Sequence, residues 1–292
     1  MAEPTPDDLV ADLLKLLDPA DLGGDRFEGP RKPGGVGRVY GGQVIAQALV
    51  AAQRTVDRER KAHSLHAYFL RGGSEDFPIE FEVARVFDGR SFANRRITAS
   101  QQGKAILAAS VSFQVEEEGL SHQEAEMPDV PPPEELHSEA DLIAQLPEEA
   151  KKGLLPFLLE ARPVETRPVD PRALLDRREL HPSQQVWFRM RAPVPDDPLI
   201  HQAVLAYWSD MRLMLTCTLP HPLAFALRDI KGASLDHAIW FHADPQVDDW
   251  LLYDMGSPWS GGARGLNFGR IFARDGTLVA SVAQEGMFRP AR

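Results

Sequence analysis

Three polar residues stand where the pattern around them calls for apolar ones. Asp210 lies in "HQAVLAYWSDMRLM", which reads as a helix because Ile200, Ala203, Val204, Tyr207, Met211 and Met214 recur at three- and four-residue spacing. The acid falls on the edge of that stripe, where an ionised carboxylate is costly unless paired or hydrogen-bonded. Gln284 closes a period-two row, Leu278, Ala280 and Val282, that reads as the buried face of a strand. Ser234 opens a further strand, "SLDHAIWFH", with Ala238 and Trp240 on its face.

A carboxylate, a hydroxyl and a carboxamide meeting at one core edge suit the handling of a water molecule. The acid can take its proton while the other two hold its oxygen. A plain structural reading of the same residues is also open: Asp210 satisfied by a backbone N–H, Gln284 ending a strand, Ser234 in a turn. The best anion candidates are Arg90, Arg95 and Arg96 of "DGRSFANRR", as donors to phosphate or as a solvated basic strand edge. His63 and His66 of "HSLHAYF" and His237 and His242 of "DHAIWFH" lack metal-site spacing. His63 is a pocket candidate, with a core or surface role as the alternative. The glycines of "GGVGRVYGGQ" lack both the dinucleotide and the Walker spacing.

Such residues need a scaffold, and the sequence supplies it twice. The first block has the apolar helix "YGGQVIAQALVAAQRTV", then "HSLHAYFLRGG", "IEFEVARVFDGRSFANRRITASQQ" and "GKAILAASVSFQ". The second repeats the order with "HQAVLAYWSDMRLM", "ASLDHAIWFHAD", "DDWLLYDMGSPWSGGARGLNFGRIFARD" and "GTLVASVAQEGMF". Ser64 and Ser234, Phe69 and Phe241, and Gly103 and Gly276 keep separations of 170 to 173 residues. A duplicated α+β unit follows, each helix covering the apolar face of antiparallel strands. The reading divides the chain into a first repeat at 1–115, a linker at 116–179 and a second repeat at 180–292. Aligning the copies puts Ala51 opposite Asp210 and Phe113 opposite Gln284, with Ser64 opposite Ser234. The fold does not require the acid or the amide, so only the second copy carries the complete set.

The linker holds twelve acids and no Lys or Arg between Glu116 and Glu149, together with three consecutive prolines and two short candidate helices near Glu134–Gln145 and Glu149–Glu160. It accounts for the net charge of −11, since the rest has 31 acids against 32 bases. The net charge of −11 argues against a general nucleic-acid binder, while the near-neutral remainder can still receive an anionic ligand. No stretch approaches the roughly 18 apolar residues of a membrane span. The single cysteine, Cys217, lies in the apolar run "LMLTCTL", reads as buried and inert, and fits a reducing compartment such as the cytoplasm.

Seven ordered segments closely resemble the acyl-CoA thioesterase II family: "YGGQVIAQAL", "HSLHAYFLRGG", "DGRSFANRR", "AYWSDM", "SLDHAIWFH", "WLLYDMGSPWSGGARG" and "DGTLVASVAQEGMFR". The resemblance implies a double hotdog, two long helices each wrapped by an antiparallel sheet. It implies hydrolysis of fatty acyl-CoA to free acid and CoA without metal or cofactor. The family's functional trio falls on Asp210, Ser234 and Gln284, with serine where threonine also occurs. Gly41 and Gly42, opening the first helix, are candidates to stabilise an oxyanion through their N–H groups. A hotdog hydratase or dehydratase and a non-catalytic acyl-CoA-binding module are the rival readings. Exposed sheet edges in such a fold favour a homodimer or tetramer.

Overall fold

Two apolar helices and the strands that cover them organise the chain in the computed structural model, which describes residues 4–32, 34–35, 37–152, 154, 158–175, 178–222 and 229–290. The helices are α1 (Pro6–Leu16), α2 (Gly41–Gln53), the short α3 (Glu139–Ala144), α4 (Glu148–Lys152) and α5 (Arg172–Leu175), and α6 (Pro198–Ser209). Helix α2 is buried on nearly every side, as an alanine-rich helix without charged residues should be. Helix α6 is alike but starts at a proline behind Asp197, whose carboxylate caps the Leu199 N–H.

The first half supplies β1 (Ala20–Gly23), β2 (Arg26–Gly29), β3 (Arg60–Phe69), β4 (Ile79–Asp88), β5 (Phe92–Gln101) and β6 (Lys104–Val115). The second supplies β7 (Val164–Pro168), β8 (Ser183–Met190), β9 (Ile230–Ser234), β10 (Asp236–Phe241), β11 (Leu251–Gly261), β12 (Arg264–Ala273) and β13 (Leu278–Pro290). The turn at Gln102–Gly103 is a two-residue hairpin loop with φ of 50° and 70°, the left-handed pair that suits strand twist.

The halves meet where β3 pairs antiparallel with β10, Leu65 opposite Ile239. From that seam the order runs β3-β6-β5-β4-β2-β1 one way and β10-β13-β12-β11-β8-β7 the other, so the described strands form one continuous, mirrored sheet. Strand β9 pairs with the far end of β13. Helices α2 and α6 lie antiparallel, packed on each other and on the buried face of the sheet. The Tyr40 hydroxyl donates to the Tyr207 carbonyl at one end (2.9 Å), and Gln53 Nε2 to the Leu199 carbonyl at the other (3.4 Å).

Two expectations from the sequence change here. Residues 164–168, placed in the linker, form β7 and pair with β8, so the second sheet begins before residue 180. The acidic linker is also less free than its composition suggests. Its Ala125, Met127, Val130 and Leu136 pack on Trp187, Trp250, Leu252 and Phe272, against the outer face of the second sheet. Trp187 Nε1 donates to the Pro131 carbonyl at 3.0 Å, and Glu139 is buried between Arg162 and Arg212. Charge and proline content describe the exposed side of this segment, not the apolar residues dispersed among them. Among the described residues of this segment, the longest exposed run is 116–124, which lies outside any helix or strand. Limited digestion with a Glu-specific protease is therefore expected to cut first at Glu116–Glu118 or Glu124. A first cut at Glu134, Glu135 or Glu139 would contradict the docked arrangement.

Candidate active site

Asp210 is not inside its helix. Helix α6 stops at Ser209, Asp210 is the C-cap, and Arg212 turns the chain with a left-handed φ of 69° before a 3-10 stretch at Leu213–Thr218. The helical spacing of Met211 and Met214 is therefore fortuitous: the stripe continues because the 3-10 turn also packs on the core, burying Leu213 and Cys217. The non-glycine left-handed residue is held by its side chain. Arg212 pairs with buried Glu139 and donates to Gln184 Oε1 at 3.2 Å.

A carboxylate at a helix C-terminus meets the negative end of the dipole, and here the neighbouring helix offsets it. The N-terminus of α2 abuts Asp210, and that end favours negative charge. A Cβ on Gly41 would lie 2.7 Å from Asp210 Oδ2 and 3.0 Å from Phe69 Cζ. One on Gly42 would lie 2.1 Å from the Tyr207 carbonyl oxygen. Only glycines let the two helix ends come this close.

Gln284 lies where the period-two row put it, fully buried beyond Ala280 and Val282. Leu278 leaves that row, because the β12–β13 register shifts between Ile271 and Phe272 and sends it to the outer cluster. Ser234 arrives by a different route from the expected one. It ends β9 instead of opening β10, and Ala238 and Trp240 face the other way from buried His237, Ile239 and Phe241. Ser234 pairs with Gly286 while Ala238 pairs with Ala283, so one extra residue sits on the β9–β10 side. This bulge, held by Leu235 N–H on the Glu285 carbonyl (2.9 Å) and Glu285 N–H on Asp236 Oδ1 (2.7 Å), turns Ser234 onto the face of Gln284. Nor is Ser64 its counterpart. The shared "ASV" segments align Val111 with Val282, and these pair with Leu65 and Ile239, so the counterpart of Ser64 is Ala238.

The three side chains converge. Gln284 Nε2 donates to Asp210 Oδ1 at 2.5 Å and Ser234 Oγ to the same oxygen at 3.5 Å. Ser234 Oγ is also 3.7 Å from Met214 Sδ. Asp210 is 8% exposed, and Gln284 Oε1 is buried without a hydrogen-bond partner among the described residues. His237 joins the cluster, Nδ1 3.2 Å from Gln284 Nε2 and 4.0 Å from Asp210 Oδ1. The sequence reading weighed His237 only as a metal ligand. Its place in the alternation with Ile239 and Phe241 was the available sign that it faces the helix.

The other candidates lie elsewhere. Arg95 is not part of an anion-binding patch: it is 1% exposed and all three guanidinium nitrogens are engaged. Nε donates to Thr55 Oγ1 (2.8 Å), Nη1 to the Phe87 and Asn94 carbonyls (3.1 and 2.9 Å), and Nη2 to the Thr55 carbonyl and Asp88 Oδ1 (3.0 and 2.6 Å). This residue ties the chain just beyond α2 to the β4–β5 hairpin. Arg90 and Arg96 are exposed, the first in that hairpin and the second on the outward side of β5. Gly41 and Gln53 are the opposite ends of α2 and Thr55 lies just beyond it, so the hairpin is about 18 Å or more from Asp210 by helix rise. His63 bonds Ser112 Oγ (2.8 Å), whose strand neighbours Val111 and Phe113 face the helices, so this pair occupies the outward side of the sheet. Neither His63 nor the arginines touch the trio. Cys217 is buried and its thiol is pushed up to about 12 by that burial, which fits an inert core residue. A cavity of about 440 Å³, lined by Arg31, Lys32, Gly34, Gly35 and Glu75, lies along the segment leading into α2. No described helix is long and apolar enough to cross a membrane.

Comparison with known proteins agrees with this architecture at both ends of the chain. Residues 29–114 match the model of the acyl-CoA thioesterase N-terminal domain, and residues 158–287 match that of acyl-CoA thioesterase. Acyl-coenzyme A thioesterase 8 of Rattus norvegicus is 42% identical over 260 residues, covering 86% of this chain and 80% of the relative. The crystal structure of an acyl-CoA thioesterase II from Mycobacterium marinum is 40% identical, covers 96% of this chain and 98% of its own, and superposes with a TM-score of 0.77. A protein with a hotdog fold from Alicyclobacillus acidocaldarius, 23% identical and covering 95% of this chain and 98% of its own, superposes with a TM-score of 0.76 and shows the fold. With family models on both halves and close relatives over nearly all its length, this double-hotdog chain belongs to the acyl-CoA thioesterase family, hydrolases of the acyl-CoA thioester.

Proposed function

We propose that the chain hydrolyses fatty acyl-CoA to free acid and CoA with a water activated at Asp210. The observation that carries this reading is the single carboxylate oxygen shared by Gln284 and Ser234, beside the glycine-built N-terminus of α2. Asp210 takes a proton from water as its oxygen attacks the thioester carbonyl. Ser234 and Gln284 position the oxygen, and this pre-paid orientation lowers the barrier. Gln284 Oε1 is a buried acceptor with no donor among the described residues, so a water hydrogen is a fitting partner for it. The developing oxyanion takes hydrogen bonds from the Gly41 and Gly42 N–H groups, which helix geometry leaves without intrahelical acceptors. The departing thiolate belongs to a thiol titrating near ~8.5, so it leaves without acid assistance.

Release of free thiol from acyl-CoA, followed with a thiol reagent, tests this reading. Stoichiometric thiol and free acid support it. A hydratase or dehydratase would change the acyl chain and leave the thioester intact, and a binding module would do neither. We place the protein in the cytoplasm, on its lone unpaired cysteine, as a homo-oligomer joined through the open sheet edges at β1 and β7.

Ser234 provides a finer test. Its Oγ is held only at 3.5 Å from Asp210 and 3.7 Å from Met214, and one Cβ substituent leaves χ1 freer than in threonine. Ser234→Ala is expected to lower kcat by roughly tenfold or more with little change in KM, the mark of a contact acting in the transition state. Ser234→Thr should keep most of the rate. An alanine variant as active as wild type would remove Ser234 from the mechanism.

A further inference from the structure

His237 is a fully buried titratable group that the water-handling trio does not employ. The register that pairs Ala238 with Ala283 sets it across from Gln284 on the helix-facing side of the sheet. Both ring nitrogens are engaged, Nε2 at 2.8 Å from Ser209 Oγ and Nδ1 at 3.2 Å from Gln284 Nε2. The proton on this ring follows from its neighbours. Ser209 has one hydroxyl hydrogen and gives it to the Ala206 carbonyl at 2.9 Å. Towards His237 it therefore accepts, and Nε2 carries the N–H. Burial holds the imidazole below its ordinary pKa, with the nearby Asp210 charge pulling the other way. A neutral ring with hydrogen on Nε2 presents a bare lone pair at Nδ1, aimed at the Gln284 amide.

That lone pair settles which way the amide lies. With its nitrogen towards the core, Gln284 gives one hydrogen to Asp210 Oδ1 and the other to His237 Nδ1. Reversed, its oxygen would face a carboxylate and an imidazole lone pair together. The relay is anchored at its far end, because Ser209 directly precedes Asp210 and its carbonyl accepts from the Tyr253 hydroxyl at 2.8 Å.

We propose that His237 is a positioning residue: fixed in one tautomer by Ser209, it locks the Gln284 amide with its NH2 on Asp210 and its Oε1 free for the reacting water. This rests on the water-activating reading of Asp210, Ser234 and Gln284. The side chain touches neither substrate nor water and acts through Gln284 alone.

The test is kinetic, on the full chain with an acyl-CoA whose thiol release is followed. His237→Phe keeps a ring but removes both nitrogens, and is expected to lower kcat roughly tenfold or more with KM within about twofold. His237→Asn offers an acceptor near the Nδ1 position and should recover most of that loss. In a Gln284→Ala background, His237→Phe should change kcat by less than about twofold, since the group it orients is gone. Ser209→Ala, which leaves the imidazole in place, should lose several-fold in kcat and again nothing further beside Gln284→Ala. It decides the matter should the phenylalanine variant not fold. Wild-type kcat in folded His237→Phe, or an equal loss with and without Gln284, would overturn the proposal. If Asp210→Asn is also inactive in that case, the water-activating reading stands and only the role of His237 falls.

Discussion

Asp210→Asn is expected to lose at least ~10²-fold in kcat, the low end of what a positioned general base contributes. The substitution is nearly isosteric, and asparagine Oδ1 can still accept from Gln284 and Ser234. The Gly41 contact survives because no atom is added on that side. Folding should therefore be intact, with a melting temperature close to wild type. Because the lost group works only as the water is deprotonated, kcat and kcat/KM should fall together while KM stays nearly constant. A folded Asp210→Asn protein with near-normal turnover would remove the carboxylate from the chemistry. The first copy offers an internal comparison: its aligned residues, Ala51 and Phe113, are fully buried and can neither accept nor deliver a proton.

Arg95→Ala should produce the other large effect, and on stability instead of turnover. Removing the guanidinium leaves the buried Thr55 carbonyl and hydroxyl oxygens without their donor and opens a cavity beneath the hairpin. Each buried acceptor left without a donor costs about 1–3 kcal/mol. A total near 3 kcal/mol or more corresponds to a drop of roughly 6 °C or more in Tm for a chain of this size. Arg96→Ala, one residue along but exposed, should stay within about 0.5 kcal/mol of wild type. Calorimetry of the two variants decides the point. Similar melting temperatures would mean that Arg95 is not the structural tie described above.

Arg95 also shows what the sequence could and could not say. The alternation Ala93, Arg95, Ile97, Ala99 already places the arginine on the buried side of β5, yet charge type suggested a phosphate donor instead. Period alone carried more information than residue class. Gln284 was legible for the same reason: an amide in register with Ala280 and Val282 faces the core whatever its partners. Ser234 was correctly grouped but wrongly oriented, because a bulge reverses the alternation and leaves no mark in the local pattern. The end of α6 was hidden too, since the 3-10 turn beyond Arg212 buries residues at spacings that imitate another helical turn. His237 and Ser209 could not be connected from sequence, as their hydrogen bond joins a helix end to a strand 28 residues away.

The family resemblance narrowed the chemistry, and the fold explains why the proposed mechanism draws on both halves. Mirrored sheets bring α2 and α6 together antiparallel, so the N-terminus of the first helix faces the C-cap acid of the second. In the proposed mechanism the first copy contributes donors and the second contributes the base, and neither alone has both.

A single turnover in H2-18O, with enzyme in excess over acyl-CoA, tests direct attack by an Asp210-activated water. The released fatty acid should carry one 18O from solvent, and the peptide containing Asp210 should remain unlabelled by mass spectrometry. An unlabelled acid together with 18O in the Asp210 carboxylate would show an acyl-aspartate intermediate and contradict the general-base account.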